Sequence, residues 1–132
     1  MTLRAAVPAD LPALLGIRDG SGDDALSDPA LVAEAGLRRL IATGAVTVWD
    51  EAGEIAGFAA VDNGAIHLLV NSRARGKGVG RELLAAACAA LKQAGHKFAT
   101  LTLAAGSTAM RHYRADGWTA TGRNALVFQK PP

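Results

Sequence analysis

Apolar residues recur along this chain at two spacings, and the changes of spacing mark its elements. Residues Thr2–Ala6 read as a short strand. In PADLPALLGIRD, Pro8 stands early in a helix whose Leu11, Leu14 and Leu15 share one face. DGSGDDALSD, from Asp19, reads as a loop that ends this helix and begins another, with Asp28 as N-cap before Pro29. Ala33, Leu37, Leu40 and Ile41 follow at helical spacing, and Gly44 is the stop.

The spacing then shortens. AVTVW (45–49), EIAGFAAV (54–61) and AIHLLV (65–70) are apolar runs bounded by Asp, Glu, Asn and Gly, and each reads as a strand. Asn63-Gly64 between the last two is a hairpin signal, because both residues accept positive φ. Helical spacing returns with Val79, Leu83, Leu84, Ala87, Cys88 and Leu91, closed by Gly95. FATLTL (98–103) is a strand, STAMRHYRAD (107–116) a helix stopped by Gly117, and WTATGRNALVFQK a final hairpin. The strand–helix–strand unit from Ala65 to Leu103 requires two parallel strands, so the class is α/β with a mixed sheet.

One stretch is unexplained by packing alone. RARGKGVGREL, Arg73 to Leu83, sets three glycines among four cationic side chains, just before a helix. The start of a helix leaves backbone N–H groups without intrahelical partners, and its dipole adds positive charge there. Gly76, Gly78 and Gly80 allow close backbone approach, while Arg75, Lys77 and Arg81 can contact anionic oxygens. The stretch therefore reads as a phosphate cradle. A Walker A loop is excluded, because Gly76-Lys77 is followed by Gly78 rather than Ser or Thr, and Asn71 stands where the first glycine belongs. A dinucleotide fingerprint is excluded too: the glycines run G-x-G-x-G, and Lys92-Gln93-Ala94 occupies the place of the later acid.

The totals narrow the field further. With 132 residues, half of them apolar, and no linker or repeat, the chain reads as a single domain, 1–132. A net charge of +2 from 14 basic and 12 acidic residues gives no basic coat for nucleic acid. The single cysteine, Cys88, forms no internal disulfide and reads as a small core residue in a reducing compartment. No run approaches the ~20 apolar residues of a membrane span and no leader is visible, so the expected location is cytoplasmic. The three histidines lack metal-ligand spacing, and no metal is expected.

What the glycine run does fit is R-x-x-G-x-G, Arg75 to Gly80, after a strand ending in LLV. This resembles the acyl-CoA loop of the GNAT superfamily of N-acetyltransferases. LRAAVPADLPALLGIR is similar to that family's opening strand and first helix. HLLVNSRARGKGVGRELL is similar to its fourth strand, loop and third helix. AMRHYRADGW, Ala109 to Trp118, resembles its late A-x-x-x-Y-x-x-x-G-[FW] segment. The resemblance implies a mixed sheet of about six to seven strands flanked by about four helices. It also implies an enzyme that takes acetyl-CoA as co-substrate and passes the acetyl group directly to an amine, without a metal.

By the same resemblance, the pyrophosphate of acetyl-CoA lies on Arg75, Gly76, Lys77, Gly78, Val79, Gly80 and Arg81. The pantetheine arm runs along Leu68, Leu69 and Val70, with the Val70 N–H facing the thioester carbonyl. Tyr113 aligns with the family's acid for the departing thiolate; the other reading of its ring is packing beside the last helix. Two positions depart from the pattern. Gly64 stands where relatives carry a glutamate base, and Gly106 stands where they carry a CoA-contacting asparagine. His67 is the neighbouring substitute base, sharing a face with Leu69; a hydrogen-bonding histidine without that role, or a water chain, are the alternatives. Ser107 can replace part of the asparagine. The departures leave open a second function, a non-catalytic acyl-CoA sensor or docking module. The acidic run Asp19, Asp23, Asp24 and Asp28 suits a cationic small-molecule or peptide amine, or is only a solvated turn. The ALVF run near the end could act as an exposed edge and pair two copies into a homodimer.

Overall fold

The computed structural model describes residues 2–21, 34–71, 74, 78–102, 115, 117–121 and 127–132. Strands β1 (Thr2–Ala5), β2 (Val46–Glu51), β3 (Glu54–Asp62), β4 (Ala65–Val70), β5 (Ala99–Thr102), β6 (Thr119–Thr121) and β7 (Val127–Lys130) alternate with helices α1 (Leu11–Ser21), α2 (Glu34–Ala42) and α3 (Val79–Gln93). The strands form one sheet in the order β1-β2-β3-β4-β5-β7-β6. Only β4 and β5 pair in parallel, and β1–β2, β2–β3, β3–β4, β5–β7 and β6–β7 are antiparallel. The expected helix over 107–116 lies, apart from Ala115, outside the described residues.

Two apolar layers cover the sheet. On one face α3 packs with Val79, Leu83, Ala87 and Leu91 against Ala59, Ile66, Leu68 and Leu101. On the other, Leu11, Leu14 and Ile17 of α1 and Leu37, Leu40 and Ile41 of α2 close over Val46, Val48, Phe58 and Leu69. Trp49 and Trp118 are both buried in the α3 layer, as packing residues. Period-two alternation sorts β4 cleanly: Ile66 and Leu68 face α3, while Leu69 faces α1.

Three turns follow from local chemistry. Asn63 and Gly64 both take positive φ, 52° and 89°, as the Asn-Gly signal requires. Ala52 and Gly53 do the same at the β2–β3 turn, with φ of 54° and 89°. There the Gly53 N–H donates to Asp50 Oδ1 at 2.9 Å. Gly44, at φ 75°, ends α2, and the Ala45 N–H donates to the Leu40 carbonyl at 2.9 Å.

Two expectations need correction. Helix α1 does not stop before Asp19 but runs through Asp19 and Gly20 to Ser21. Burial of Ile17 in the α1 layer holds its last turn, and such tertiary packing outweighs the weak local preference of Asp and Gly. The described part of the ALVF run, Val127 and Phe128, is not an edge; Ala125 and Leu126 lie outside the described residues. Its strand, β7, lies between β5 and β6, with Ala99 opposite Lys130 and Thr102 opposite Val127. The backbone of Val127 and Phe128 is paired within the chain.

Arg4 ties β1 to its neighbours. Its Nη1 and Nη2 donate to the two oxygens of Asp10 at 2.8 and 3.0 Å, and its Nε donates to Asp50 Oδ2 at 3.0 Å. Asp10 Oδ2 also accepts the Val7 N–H at 2.8 Å, which fixes the short 3-10 turn Pro8–Asp10 before α1. The Arg4 guanidinium holds the Asp10 carboxyl below the usual range, with burial opposing it and the Val7 N–H assisting. No helix among the described residues is long and apolar enough to cross a membrane.

Two outcomes are expected. An added Cβ at Gly57 would stand 2.9 Å from the Leu69 carbonyl oxygen, 3.1 Å from Leu83 Cδ1 and 3.3 Å from Val70 Cα. Gly57→Ala should therefore lower unfolding free energy in urea by about 1–3 kcal/mol; an unchanged midpoint would show that β4 yields freely. Because the folded Asp10 pKa lies below the unfolded value of about 3.9, its stabilisation is full above that pH and is lost as pH falls through the folded value. The urea-midpoint gap between the native protein and Asp10→Asn should be wide at neutral pH and narrow in acid; a gap independent of pH would contradict this origin.

Candidate active site

Strand β4 has unequal neighbours. Along one side it pairs with β3 over its whole length, from Asp62 opposite Ala65 to Gly57 opposite Val70. Along the other, register pairs with β5 join Ala65 to Thr100 and Ile66 to Leu101, while β4 runs on four residues further to Val70. Among the described residues the β4–β5 boundary therefore has a paired base at Ala65–Ile66, with the β4 arm running on to Val70; residues 103–110, after β5, lie outside the described residues.

A bulge sets the β3 side. Trp49 pairs with Gly57 and Asp50 with Ile55, so Ala56 is the extra residue. As a result Ile55 and Phe58 enter the α1 layer while Ala56 enters the α3 layer. The Ala56 carbonyl accepts the Asn71 N–H at 2.8 Å, and the Asn71 carbonyl accepts the Ala74 N–H at 2.9 Å. These two bonds turn the chain from β4 toward α3. Gly57 is a site-supporting residue that the pattern reading passed over. Its signal was present, since a glycine inside a strand marks close backbone approach.

Helix α3 opens at Gly78, whose φ of 82° is left-handed and which supplies no side-chain cap. The Glu82 N–H donates to the Gly78 carbonyl at 3.1 Å, the first bond of the helix. The N–H groups of Val79, Gly80 and Arg81 precede it and have no intrahelical acceptor by helix geometry. Val79 is buried, Arg81 is exposed, and a Cβ on Gly80 would lie 3.6 Å from Val70 Cγ2. The start of α3 thus sits against the end of β4. Both ends of the expected binding run, the β4 arm and the first turn of α3, meet there.

Other expected site residues are placed as follows. Leu68 and Leu69 are buried on opposite faces of β4, and Val70 is half-buried against the α3 layer. His67 is 3% exposed, lies opposite Ala60, and by alternation is on the α1 face with Leu69. Arg75, Gly76, Lys77, Ser107 and Tyr113 lie outside the described residues, as do Asp23, Asp24 and Asp28. Asp19 is exposed and pairs with Arg18 at 2.9 Å. Burial pushes the Cys88 thiol up, with Lys130 opposing, which is the wrong direction for a nucleophile. Among the described residues no group of three His, Cys, Asp or Glu side chains could hold a metal.

The sequence profile of the acetyltransferase (GNAT) domain matches residues 23–127. The chain belongs to the GNAT acetyltransferase family. Solved GNAT structures share its fold. A ribosomal-protein-alanine N-acetyltransferase from Brucella melitensis superposes with a TM-score of 0.73 at 23% identity, over 100% of both chains. The protein yncA from Salmonella typhimurium, solved with its cofactor acetyl-CoA, gives 0.78 at 21% identity over 99% of this chain and 93% of its own. PaiA N-acetyltransferase from Thermoplasma acidophilum, in complex with coenzyme A, gives 0.75 at 14% identity over 99% and 98%. At these identities the likeness is one of fold. No curated protein sequence matches the chain. Within the GNAT frame, the position of the usual glutamate is a turn glycine, Gly64, whose φ of 89° is strained for any other L-residue.

The two described loop glycines should respond differently to a methyl group. Gly78→Ala meets no atom within 4 Å but carries a left-handed φ, so it should cost about 1–2 kcal/mol in urea unfolding. Gly80→Ala makes only ordinary contact with Val70 and should leave the midpoint unchanged or higher. Equal losses would mean that space, not backbone conformation, governs this corner.

Proposed function

We propose that this GNAT protein is an acetyl-CoA-dependent N-acetyltransferase that moves the acetyl group directly to a primary amine. The observation that carries the reading is the β4 arm, whose end at Val70 meets the glycine-started α3 at Gly80. Backbone groups along such an arm can hold an extended pantetheine chain. The N–H groups at the start of α3, with Arg75, Gly76, Lys77 and Arg81, then receive the pyrophosphate. PaiA with coenzyme A and yncA with acetyl-CoA, both of this fold, support that assignment.

In this mechanism Leu68, Leu69 and Val70 line the pantetheine, and the Val70 N–H donates to the oxygen that becomes negative in the tetrahedral intermediate. The amine nitrogen bonds to the thioester carbon, the C–S bond breaks, and the thiolate takes a proton from Tyr113. His67 accepts the proton that the amine loses, directly or through water. Ser107 supplies a polar contact to the cofactor. The acidic residues Asp19, Asp23, Asp24 and Asp28 favour a cationic acceptor, a small amine or a peptide amine. A second reading, an acyl-CoA-binding sensor without turnover, is favoured by one observation: Gly64 is a positive-φ turn glycine where the resemblance puts the family's base.

Calorimetric titration should show acetyl-CoA binding in preference to ATP and NAD, and Gly78→Glu should abolish it. Thiol release with a panel of primary amines then separates enzyme from sensor. Tyr113→Phe should lower kcat by about 100-fold with acetyl-CoA affinity retained. Binding without turnover across the panel would favour the sensor, and absence of binding by folded protein would remove the cofactor altogether.

A further inference from the structure

On the other flank of β4, away from β5, the fold leaves a cavity of about 370 Å³. Ala13, Gly16 and Ile17 of α1 form one wall, Gly53, Glu54 and Ile55 of the β2–β3 turn form the other, and Asn71 closes the end. Its size lies within the range of small-molecule sites.

Gly16 is the informative residue. A glycine in a helix interior costs about 0.5–1 kcal/mol relative to alanine. Neither of the usual reasons to keep one applies among the described residues: its φ is not left-handed, and a Cβ there would meet none of their atoms within 4 Å. What glycine preserves at this position is the open volume of the cavity. Gly53, on the facing wall, is by contrast fixed by its φ of 89°.

The two walls are also held in register by one side chain. Arg4 grips Asp10, at the entry to α1, and Asp50, whose other carboxylate oxygen accepts the Gly53 N–H. The cavity surface is chemically lopsided. Ala13, Ile17 and Ile55 are apolar, Asn71 is a neutral amide, and among the described lining residues Glu54 is the single ionisable one. Among the described residues Glu54, like Glu51 and Glu82, is in no salt bridge, whereas Glu34, Asp10, Asp19, Asp50 and Asp62 are.

We propose that this cavity is a binding site for a small aliphatic primary ammonium compound, its carbon chain against Ile17 and Ile55 and its charge at Glu54. The site does not depend on the acetyl-transfer reading, because β3 and α1 form it without β5. Its occupant touches Asn71, where β4 passes into the glycine run, so ligand binding reaches the start of that loop through the Asn71–Ala56 and Ala74–Asn71 hydrogen bonds.

The test is titration of the full chain with n-butylammonium chloride, followed by two-dimensional amide NMR, with sodium chloride as the salt control. Saturable shifts are expected at Gly16, Ile17, Gly53 and Ile55. Neutral n-butanol should bind about fivefold more weakly, and Glu54→Gln should weaken the amine by a similar factor, the weight of one exposed charge pair. Gly16→Leu should abolish these shifts while any amine-dependent thiol release persists. Gly16→Ala, which removes only one methyl's volume and should raise the melting temperature, gives a folded variant with intermediate affinity. Shifts confined to other residues, equal binding of butanol, or undiminished shifts in both Gly16 variants would overturn the proposal.

Discussion

The fold turns on the pairing of β4 with β3. A strand paired on neither side would not stay in place, and β3 supplies six register pairs along the whole of β4, beside the two that β5 supplies among the described residues. The β3 side is made rigid by close approach: the Leu69 carbonyl stands where a Cβ at position 57 would be. The bulge at Ala56 then lets the same strand serve both layers, sending Ile55 and Phe58 to α1 and leaving Ala56 with α3. Helix α3 fills the remaining requirement by starting against Val70. The position of every element near the candidate site can be traced to what keeps this one arm straight.

The two faces of β4 divide the labour. Leu68 and Val70 belong with α3, whose first turn has N–H groups without intrahelical acceptors, while His67 and Leu69 belong with α1. A proton acceptor at His67 would therefore act from the α1 face, buried to 3% exposure. Gly64, where the resemblance to the family leads one to expect a glutamate, is part of the β3–β4 hairpin turn. A carboxylate there would carry the backbone penalty of a left-handed residue.

Much of the architecture was legible because it rests on local chemistry. Asn63-Gly64 sets a hairpin wherever its flanks can pair, and Leu83, Ala87 and Leu91 face the sheet because helical spacing leaves them no alternative. The faces of β4 followed from alternation alone. What escaped the sequence was non-local. Nothing within Asp19-Gly20 tells that Ile17 will be buried deeply enough to carry the helix past it. The bulge at Ala56 depends on register with β2, and the place of β7 depends on β5 accepting a second neighbour. The glycine run from Arg75 to Gly80 stood out because glycine spacing encodes backbone approach directly, and of it Gly78, which starts α3, and Gly80, which sits against Val70, lie within the described residues. The cavity beside α1 had no such signature, since Gly16 and Gly53 meet only after β2 and β3 have folded back toward the first helix.

The insertion of β7 between β5 and β6 bears on how the chain assembles as it is made. Strand β5 has four register pairs with β7 and two with β4. On a growing chain, residues 99–102 must therefore wait for residues 127–130 before most of their ladder exists. Until then the α3 layer is closed over a sheet whose far half ends in an unprotected strand, the form of intermediate most open to pairing with other chains. Strand β7, which follows β6 in sequence, fits between β5 and β6, so the β5 side of the sheet is completed late, after the β1–β4 half has its partners.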